Sequence, residues 1–542
     1  MAFARFNLAF AICLVGCGGG ADSVSTRLPE PPGPGSAAPA RRSDWVFQDV
    51  TAWSQLALRP TRAIEAGITA IDIDDDGDED LLGPAAGRCE VWLNRGDGSF
   101  WLAGSVGGGV GSTSAVGLVF VADVLGGRPL DLLLLTIDSI ELHEGNGDGT
   151  FVSRQVMTPD LGARGLPMVL TFGDFAYRGQ LSLFAGALAN NLESLDAPTL
   201  PALCELGFDP ASAGKPRSVY LDAAQSRPTP DYSTTSPSGL DLGLNVQSAM
   251  SADLNGDGLL DLFVGTEGFE RDRVFLGTGK GAFVEAGEAL GLDGKTSAMG
   301  SDFADVNGDG TPELMVTDHF TVGGGYLWEL DESGRYRNTA GERGLSDLSQ
   351  YSPWGVGLID FDNDRDVDLF VVGGGAMPSA SCTGAVQERL YFENDGTGHF
   401  TRRTGADGTG LDSLAYGRGA AFADFDGDGG VDVAVSGVGI APQLLRNDLQ
   451  RGGWLSLDLD YPWYRPAIGA VVTLRRGQAA LKRWVTGTPS WGGSSSLRVH
   501  VGIGDWPAVD AIEVRWPHGE LQLFGGATTG ERVTLRYQVA GG

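Results

Sequence analysis

A nine-residue acidic pattern recurs along the chain and constrains its fold more than any other feature. In five places an Asp is followed at alternate positions by further Asp or Asn residues, with an acidic residue at the ninth position. The five sets are Asp72, Asp74, Asp76, Asp78 and Asp80; Asp253, Asn255, Asp257 and Asp261; Asp305, Asn307, Asp309 and Glu313; Asp360, Asp362, Asp364, Asp366 and Asp368; and Asp424, Asp426, Asp428 and Asp432. Two reduced copies begin at Asp123 and Asp174, and the seven first Asp residues are separated by 51, 51, 79, 52, 55 and 64 residues. Self-similarity at such a period predicts seven copies of one structural unit.

The ligand chemistry of these loops is that of a hard divalent cation. Side chains at positions 1, 3, 5 and 9, with the carbonyl of position 7, surround a tightly turned loop with oxygens, as Ca²⁺ requires. An EF-hand would also need an acidic residue at position 12, where these loops have Gly83, Val264, Val316, Val371 and Val435. The alternative is that Asp, Asn and Gly only form turns, which suits the two reduced copies but not five sets of spaced carboxylates. The sequence therefore predicts about five Ca²⁺ sites.

The surroundings of each loop predict β-strands. Apolar segments precede and follow it, and a further strand with a tight turn comes next, as at 390–400, where an Asp-Gly pair separates two apolar runs. Four short strands per unit describe a propeller blade. We therefore expect an all-β chain, with a seven-bladed β-propeller over residues 45–447 followed by a small antiparallel β-domain over residues 453–540.

Three departures from the repeat carry their own expectations. The last unit ends at residue 447 without its fourth strand, and residues 46–51 are expected to supply it, which would remove an open sheet edge. The longest step contains an insertion near 186–244, expected to be either a loop over one face or a disordered segment. A short apolar patch at 285–292 is compatible with one or two helical turns.

The acidic loops also explain the charge of the chain. It has 70 Asp and Glu residues against 38 Lys and Arg, a formal net charge of -32, and the five loops hold 22 of the acidic residues. The electrostatic field of this negative charge repels nucleic acid and anionic lipid, so neither is an expected partner. With 42% hydrophobic and 20% charged residues, the chain is neither a disordered protein nor a polytopic membrane protein.

The first residues have the layout of an export signal. Residues 1–17 contain Arg5, an apolar run and small residues before Cys17, and their end resembles the lipobox of bacterial lipoproteins. Residues 18–44, rich in Gly, Pro, Ser and Ala, predict a flexible tether. We expect an exported lipoprotein attached through Cys17 to the bacterial outer membrane or cell surface, with no other membrane contact; the alternative is an ordinary cleaved signal.

The repeated loops resemble FG-GAP/VCBS repeats, the calcium-binding propeller units also found in integrin α chains. The C-terminal segment resembles the ASPIC/UnbV domain of cartilage acidic protein-like proteins, and the matching stretches are 454–457, 468–474, 499–504 and 509–519. One departure is the aromatic stretch 461–466, where the family has a small polar turn. The resemblance implies extracellular, calcium-dependent binding or adhesion with no agreed reaction.

Two groups of aromatic and cationic residues are candidates for contacting a ligand. Tyr351, Trp354, Tyr416 and Arg418 are expected at one mouth of the propeller channel; Trp463, Tyr464 and Trp491 are candidates in the C-terminal domain. For both groups the alternative is packing, between blades or over the core of a small domain. His500 is expected to be partly buried and hydrogen-bonded, and His518 to lie in a turn.

Motifs for catalysis are missing from the sequence, since there is no Gly-x-Ser-x-Gly, His-Glu-x-x-His or phosphate-binding Gly-x-x-x-x-Gly-Lys pattern. The expected function is therefore non-catalytic binding of an extracellular protein or glycan. The alternative is an extracellular enzyme, of the polysaccharide lyase or dehydratase type, that uses the propeller mouth and Arg418.

Overall fold

The computed structural model describes most of the chain beyond residue 46. The described residues are 39–40, 47–56, 67–85, 88–107, 116–127, 129–136, 139–160, 165–189, 218–223, 232–234, 240, 242–267, 270–292, 294–319, 324–375, 386–404, 410–413, 415–437, 441–449, 452–487 and 490–539. The expected signal peptide at 1–17, the lipidation site Cys17 and nearly all of the tether at 18–44 lie outside them.

Seven four-stranded antiparallel sheets form the first part of the molecule, as the repeat predicts. The strands are β1 (Phe47–Asp49) with β26 (Gly417–Ala423), β27 (Asp432–Gly437) and β28 (Gln443–Asn447) in blade 7; β2 (Thr69–Ile71), β3 (Asp80–Ala85), β4 (Arg88–Asn94) and β5 (Phe100–Val106) in blade 1; β6 (Val116–Ala122), β7 (Asp131–Thr136), β8 (Ile140–Gly145) and β9 (Phe151–Met157) in blade 2; β10 (Gly165–Gly173), β11 (Ser182–Ala189), β12 (Val219–Ala223) and β13 (Tyr232–Thr234) in blade 3; β14 (Val246–Ala252), β15 (Asp261–Thr266), β16 (Arg273–Gly277) and β17 (Phe283–Glu285) in blade 4; β18 (Ala298–Ala304), β19 (Glu313–Asp318), β20 (Gly325–Leu330) and β21 (Tyr336–Asn338) in blade 5; and β22 (Pro353–Ile359), β23 (Asp368–Gly373), β24 (Arg389–Asn394) and β25 (Phe400–Arg403) in blade 6.

The seven sheets close into a ring. Their first strands contact one another in the cyclic order β26, β2, β6, β10, β14, β18, β22 and back to β26. In blade 7, β1 pairs with β28 and Phe47 lies opposite Asn447. Phe47 is fully buried against the rings of Phe361, Phe370 and Tyr391. The expectation that residues 46–51 complete the last blade is therefore confirmed for the described strand β1.

The stretch near 186–244 differs from its expectation. Its described parts are not a loop over one face, because residues 219–223 and 232–234 form β12 and β13, the two outer strands of blade 3. The 79-residue interval between Asp174 and Asp253 therefore places extra residues before the third strand, and blade 3 still has four strands. The remainder, including residues 190–217 and 224–231, lies outside the described residues.

The C-terminal domain contains two sheets. Its strands are β29 (Gly453–Asp460), β30 (Val471–Arg476), β31 (Ala479–Trp484), β32 (Val499–Gly504), β33 (Ala508–Arg515), β34 (Leu521–Thr528) and β35 (Glu531–Arg536). One sheet has the order β32-β29-β35 and the other β31-β30-β33-β34. The expectation of a purely antiparallel domain is wrong for one pair, because β29 and β35 are parallel. The first and last strands of the domain meet in one sheet, while the chain between them builds the other.

Helical structure is sparse among the described residues. A single turn, α1 (Gly287–Leu290), lies within the patch expected at 285–292, and two 3-10 turns occupy Ser346–Gln350 and Gly410–Asp412. Among these elements none is both long and apolar enough to cross a bilayer as a helix.

Candidate metal centres and the domain that covers them

All seven loops occupy the same place in their blades. The first Asp directly follows the innermost strand, so that Asp72 comes after β2 and Asp360 after β22. The ninth position opens the second strand, with Asp80 at the start of β3 and Asp368 at the start of β23. The five acidic loops therefore lie together on one face of the ring.

The loops are tightly turned because their fourth and sixth residues have positive φ. In blade 7 these are Gly427 and Gly429, with φ of 71° and 88°, a conformation that glycine adopts without a steric cost. Blade 6 instead uses Asn363 and Arg365, with φ of 58° and 97°. The loop of blade 6 thus retains the turn at the expense of backbone strain.

The ninth carboxylate joins the loop to the rest of its blade. Asp80 Oδ2 accepts the Ile73 N–H at 3.0 Å, and its Oδ1 accepts the Asn94 N–H at 2.8 Å. Asp432 makes the same two bonds, with Phe425 and Asn447. The sequence pattern indicates only that this position is a ligand. Its hydrogen bonds to two backbone N–H groups are a second, structural role that the pattern does not indicate.

Three loops bring carboxylates close enough to share one cation. The sets are Asp72, Asp74 and Asp80; Asp360, Asp362 and Asp364; and Asp424, Asp426 and Asp432, and within each set one oxygen per residue lies within 4.8 Å of the others. Burial raises the pKa of Asp74 to about 6, with the neighbouring Asp76 adding to the effect. Burial likewise raises the pKa of Asp360 and of Asp424 to about 7. Crowded, desolvated carboxylates favour protonation or a bound cation.

The loops of blades 4 and 5 have fewer acids, because Asn replaces Asp at position 3. Asn255 Oδ1 accepts the Asp257 N–H at 2.9 Å, and Asn307 Oδ1 accepts the Asp309 N–H at the same distance. Burial raises the pKa of Asp261 to about 7 and that of Glu313 to about 8. These loops have the same backbone arrangement as the others with a lower negative charge.

The two reduced loops differ in what their first Asp binds. Asp123 Oδ1 accepts the N–H groups of Gly126 and Gly127 at 2.7 and 3.0 Å. Asp174 accepts those of Arg178 and Gly179 at 2.8 and 2.6 Å. In contrast, Asp72 Oδ1 is buried without a hydrogen-bond partner among the described residues. Backbone acceptance alone does not mark a reduced loop, because Asp360 of a full loop also accepts two N–H groups, those of Asp364 and Arg365, both at 3.0 Å. What the reduced loops lack is the set of spaced carboxylates, as expected of turn formers.

The C-terminal domain covers the face that carries the loops and presents cationic side chains to them. The contacts are Arg498 Nη2 to Asp72 Oδ2 at 2.8 Å, Arg515 Nη2 to Asp253 Oδ2 at 3.7 Å, Arg483 Nη2 to Asp360 Oδ2 at 3.5 Å, Lys482 Nζ to the Gly310 carbonyl at 3.0 Å, His518 Nε2 to Asp174 Oδ2 at 3.4 Å and Arg465 Nη1 to Asp75 Oδ1 at 3.0 Å. His500 Nε2 lies 2.7 Å from Asn363 Oδ1, so the expectation of a partly buried, hydrogen-bonded histidine is confirmed.

A segment of the C-terminal domain enters the central channel. Residues 486–496, which we call the plug, bond to the innermost strands of several blades, with residues 488–489 outside the described part. The backbone bonds are Gly487 N–H to the Ser251 carbonyl (3.0 Å), Ser490 N–H to the Ser301 carbonyl (2.8 Å), Ala70 N–H to the Ser494 carbonyl (3.0 Å) and Ser496 N–H to the Phe422 carbonyl (3.0 Å). Between the plug and the loop face remains a cavity of about 410 Å³ whose lining includes Arg483, Arg498 and His500.

The candidate ligand-contacting residues are largely internal. Trp354, Arg418, Tyr464 and Trp491 are 6%, 3%, 1% and 1% exposed. The Arg418 guanidinium lies 4.0 Å from the centroid of the Trp354 ring, and the ring of Trp491 in the plug packs edge-on against the same ring at 5.1 Å. For these four side chains, two from each candidate group, the packing alternative therefore describes the structure: they pack the channel and the domain interface.

The other three candidates are partly buried. Tyr351 donates a hydrogen bond to Glu388 at 2.6 Å and lies under the guanidinium of Arg402. Tyr416 and Trp463 pack against the large core that the ring and the C-terminal domain share. Trp463 also lies directly against Gly179 in the reduced loop of blade 3, so the aromatic stretch at 461–466 serves the domain interface.

Comparison with protein families identifies two segments. Residues 253–316 match the FG-GAP-like repeat, and residues 463–541 match the ASPIC and UnbV domain. The matches confirm the resemblance seen in the acidic loops and in the C-terminal segment. FG-GAP repeats generally bind calcium, and the proteins that contain them are typically extracellular or at the cell surface.

Three solved structures match parts of the chain at low identity and low TM-score. A lectin from Agrocybe aegerita that recognises non-reducing terminal N-acetylglucosamine has 17% identity and a TM-score of 0.39, covering 65% of this chain and 81% of the lectin. A protein from Lactobacillus plantarum has 15% identity and a TM-score of 0.31, covering 48% of this chain and 66% of that one. The Tc holotoxin pore of Photorhabdus luminescens has 15% identity and a TM-score of 0.31, covering 75% of this chain and 15% of the toxin chain. No curated protein sequence matches the chain.

Proposed function

We propose that this protein is a calcium-loaded, non-catalytic binding protein that acts outside the cell and recognises an extracellular protein or glycan. The observation that carries the proposal is the set of three carboxylate clusters on one face of the ring, each within 4.8 Å. Oxygen-only ligands in flexible loops suit Ca²⁺, which takes six to eight oxygens. Asp72 Oδ1 is buried and has no hydrogen-bond partner in the part of the chain that the structure describes, so it would serve as a further ligand atom.

The calcium ions in this proposal are structural. Each acidic loop connects the innermost strand of its blade to the second strand, and the ninth carboxylate is bonded to backbone on both sides. An ion bound there would neutralise repulsion at the point where the loop enters the core. Binding energy at such a site is folding energy. Asp72, Asp74 and Asp80, with their counterparts in the other four loops, would hold the ions.

The enzyme alternative is less well supported by the geometry. It required a cationic residue facing a substrate at the channel mouth, and Arg418 was the candidate. Its guanidinium instead donates to the carbonyls of Gly417 and Gly375 at 2.8 and 2.9 Å and stacks on Trp354. We therefore retain binding as the proposed role.

Calorimetric titration of the chelator-treated protein with CaCl₂ tests the calcium proposal. We expect about five bound ions, one for each acidic loop, and a higher melting temperature in calcium than in chelator. Absence of binding at millimolar calcium would contradict the proposal.

A glycan array and a pull-down from extracellular material, each run with calcium and with chelator, test the partner class. Polysaccharide turnover by the purified protein would instead favour the enzyme.

A further inference from the structure

The first carboxylate of the acidic loop in blade 1 has two oxygens in different surroundings. Asp72 Oδ2 receives Arg498 Nη2 of the C-terminal domain at 2.8 Å. Asp72 Oδ1 is buried and has no hydrogen-bond partner among the described residues. One oxygen is therefore held by the neighbouring domain, and the other remains available to an ion in the loop.

The loop of blade 4 repeats this division. Asp253 Oδ2 accepts the Gly258 N–H at 2.9 Å and lies 3.7 Å from Arg515 Nη2 of the C-terminal domain. Asp253 Oδ1 is buried without a hydrogen-bond partner in the described part of the chain. Two loops on different sides of the ring thus present the same arrangement to two arginines of one domain.

Arg498 is fixed in place by carboxylates from both domains. Its Nη1 lies 2.5 Å from Glu79 of blade 1 and its Nε lies 3.2 Å from Asp458 of the C-terminal domain, in addition to the contact with Asp72. The side chain is only 11% exposed. Because the positive charge is shared among three acids, its repulsion of an ion in the loop is reduced, whereas its directional bond to Asp72 persists.

We infer that calcium loading of the loops in blades 1 and 4 and docking of the C-terminal domain stabilise each other, with Arg498 and Arg515 as the positioning residues that link them. The inference rests on the proposed calcium binding. By contacting Oδ2, through a hydrogen bond from Arg498 at 2.8 Å and an ion pair with Arg515 at 3.7 Å, each arginine favours an orientation of the carboxylate that leaves Oδ1 for an ion, as outer partners of metal ligands do. Linkage is reciprocal, so an ion that requires this orientation also favours the docked domain.

The opposite coupling would follow if the arginines substituted for calcium. Two observations argue against it. The arginines contact Oδ2, while Oδ1 of Asp72 and of Asp253 has no hydrogen-bond partner within the described ranges. The blade 1 loop also has seven acidic residues, so a bound Ca²⁺ leaves it negatively charged and still attractive to Arg498.

The plug provides a readout of docking that does not depend on calcium affinity. Its N–H groups at Gly487, Ser490 and Ser496 bond to carbonyls of the innermost strands. These amides are protected from solvent only while the C-terminal domain is docked. Hydrogen exchange of peptides from this segment therefore reports the docking equilibrium directly.

The test uses the full chain as wild type, Arg498→Gln, Arg515→Gln and the control Arg475→Gln. Arg475 is exposed and pairs only with Glu513 of its own domain in the described structure. We expect Arg498→Gln to weaken one calcium site about 10-fold or more, Arg515→Gln to weaken a different site by a smaller factor, and the control to change neither. We also expect calcium to slow exchange in the plug about 10-fold or more in wild type, and less in the two arginine variants.

The outcomes separate the inference from the function on which it rests. If no variant, including wild type, binds calcium, the proposed function and the inference both fail. If calcium binds but plug exchange in wild type is the same with calcium and with chelator, the inference alone is overturned. It is overturned equally if Arg498→Gln binds calcium more tightly, since that would make the arginine a competitor. Should Arg498→Gln not fold, Arg515→Gln and the wild-type exchange measurement decide the matter.

Discussion

The carboxylates of this protein are of two kinds, expected ion ligands and acceptors of backbone hydrogen bonds, and the sequence distinguishes these roles only in part. The spacing of carboxylates distinguishes the five full loops from the reduced loops at Asp123 and Asp174. The hydrogen bonds of the first Asp do so only in blades 1 and 4, because the first Asp of blades 5, 6 and 7 also accepts two backbone N–H groups. Asp174 is satisfied by the N–H groups of Arg178 and Gly179, while Asp72 keeps an unpartnered oxygen. The double hydrogen bonding of the ninth position was not predictable, because it depends on which backbone N–H groups the folded strands bring near.

Substitution of a first Asp should depend on the type of loop it belongs to. We expect Asp360→Ala to reduce the difference in melting temperature between calcium and chelator, because it removes a ligand from a clustered site. A site at a calcium concentration 100 times its dissociation constant contributes about 2.7 kcal/mol. Asp174→Ala should lower the melting temperature equally in calcium and in chelator, since it loses turn hydrogen bonds and the contact with His518 but no member of a carboxylate cluster. Thermal melts of both variants check this; equal loss of the calcium effect would contradict the assignment of the loops.

Glu267 is expected to make stability depend on pH. It is 6% exposed, its Oε2 has no hydrogen-bond partner among the described residues, and burial raises its pKa to about 8. A carboxyl whose pKa is raised on folding contributes stability below its unfolded pKa and loses it as the pH rises through the folded value. Between about pH 4.5 and pH 8 the free energy of unfolding should therefore fall, by an amount on the order of 5 kcal/mol.

The Glu267→Gln variant isolates this effect. It keeps the shape of the side chain without the titrating proton, so the fall should be smaller in the variant. Urea unfolding of both proteins at several pH values measures the difference. Identical pH profiles would show that Glu267 is not the titrating group.

At the level of elements, the sequence predicts the features that depend on residues close together along the chain. Seven units, the loop between first and second strands and the closing strand β1 follow from repeat spacing and hairpin signals, and each is present. The outer strands of blade 3 were missed because the long segment before β12 interrupts the spacing. The sequence does not predict the parallel pair β29 and β35. Alternation of apolar and polar residues indicates which face of a strand is buried, but it does not indicate which strand pairs with it.

The closing strand β1 should be a major contributor to stability. Phe47 is fully buried and meets three aromatic rings edge-on. We expect Phe47→Ala to cost about 3–5 kcal/mol and to loosen blade 7. Val152→Ala on the outer strand of blade 2, where Val152 is 43% exposed, is the matched control and should change stability by less than about 0.5 kcal/mol. Denaturant unfolding measures both, and similar losses would argue against ring closure by β1.

At the level of the whole molecule, the docking of the C-terminal domain on the loop face was not foreseen. Arg498 and Asp72 are separated by 426 positions, and a single sequence gives no signal for such a pair. The same contacts explain why the sequence leaves two alternatives, ligand binding and packing, open for Trp354 and Trp491. Aromatic residues are enriched both at domain interfaces and at ligand-binding surfaces, so composition alone does not distinguish the two.

Attachment to a membrane is a prediction that rests on the sequence alone. We expect Cys17→Ser to move the protein from the membrane fraction to the soluble fraction, because the thiol that would carry the lipid is removed. Detergent partitioning of cells that express the two forms measures this. Unchanged partitioning would contradict lipidation at Cys17, and it would leave the calcium loops unaffected.

The plug imposes an order of assembly on the polypeptide. The carbonyls of Ser251, Ser301 and Phe422 face the axis of the ring, and their partners come from a part of the chain synthesised after all seven blades. A nascent ring, or a fragment that stops before residue 486, therefore has these groups exposed along an open bore. Folding of the ring can therefore be complete only after the C-terminal domain docks. We expect a proteolytic cut between the two domains to leave the C-terminal domain bound, because the hydrogen bonds of the plug do not depend on the covalent link.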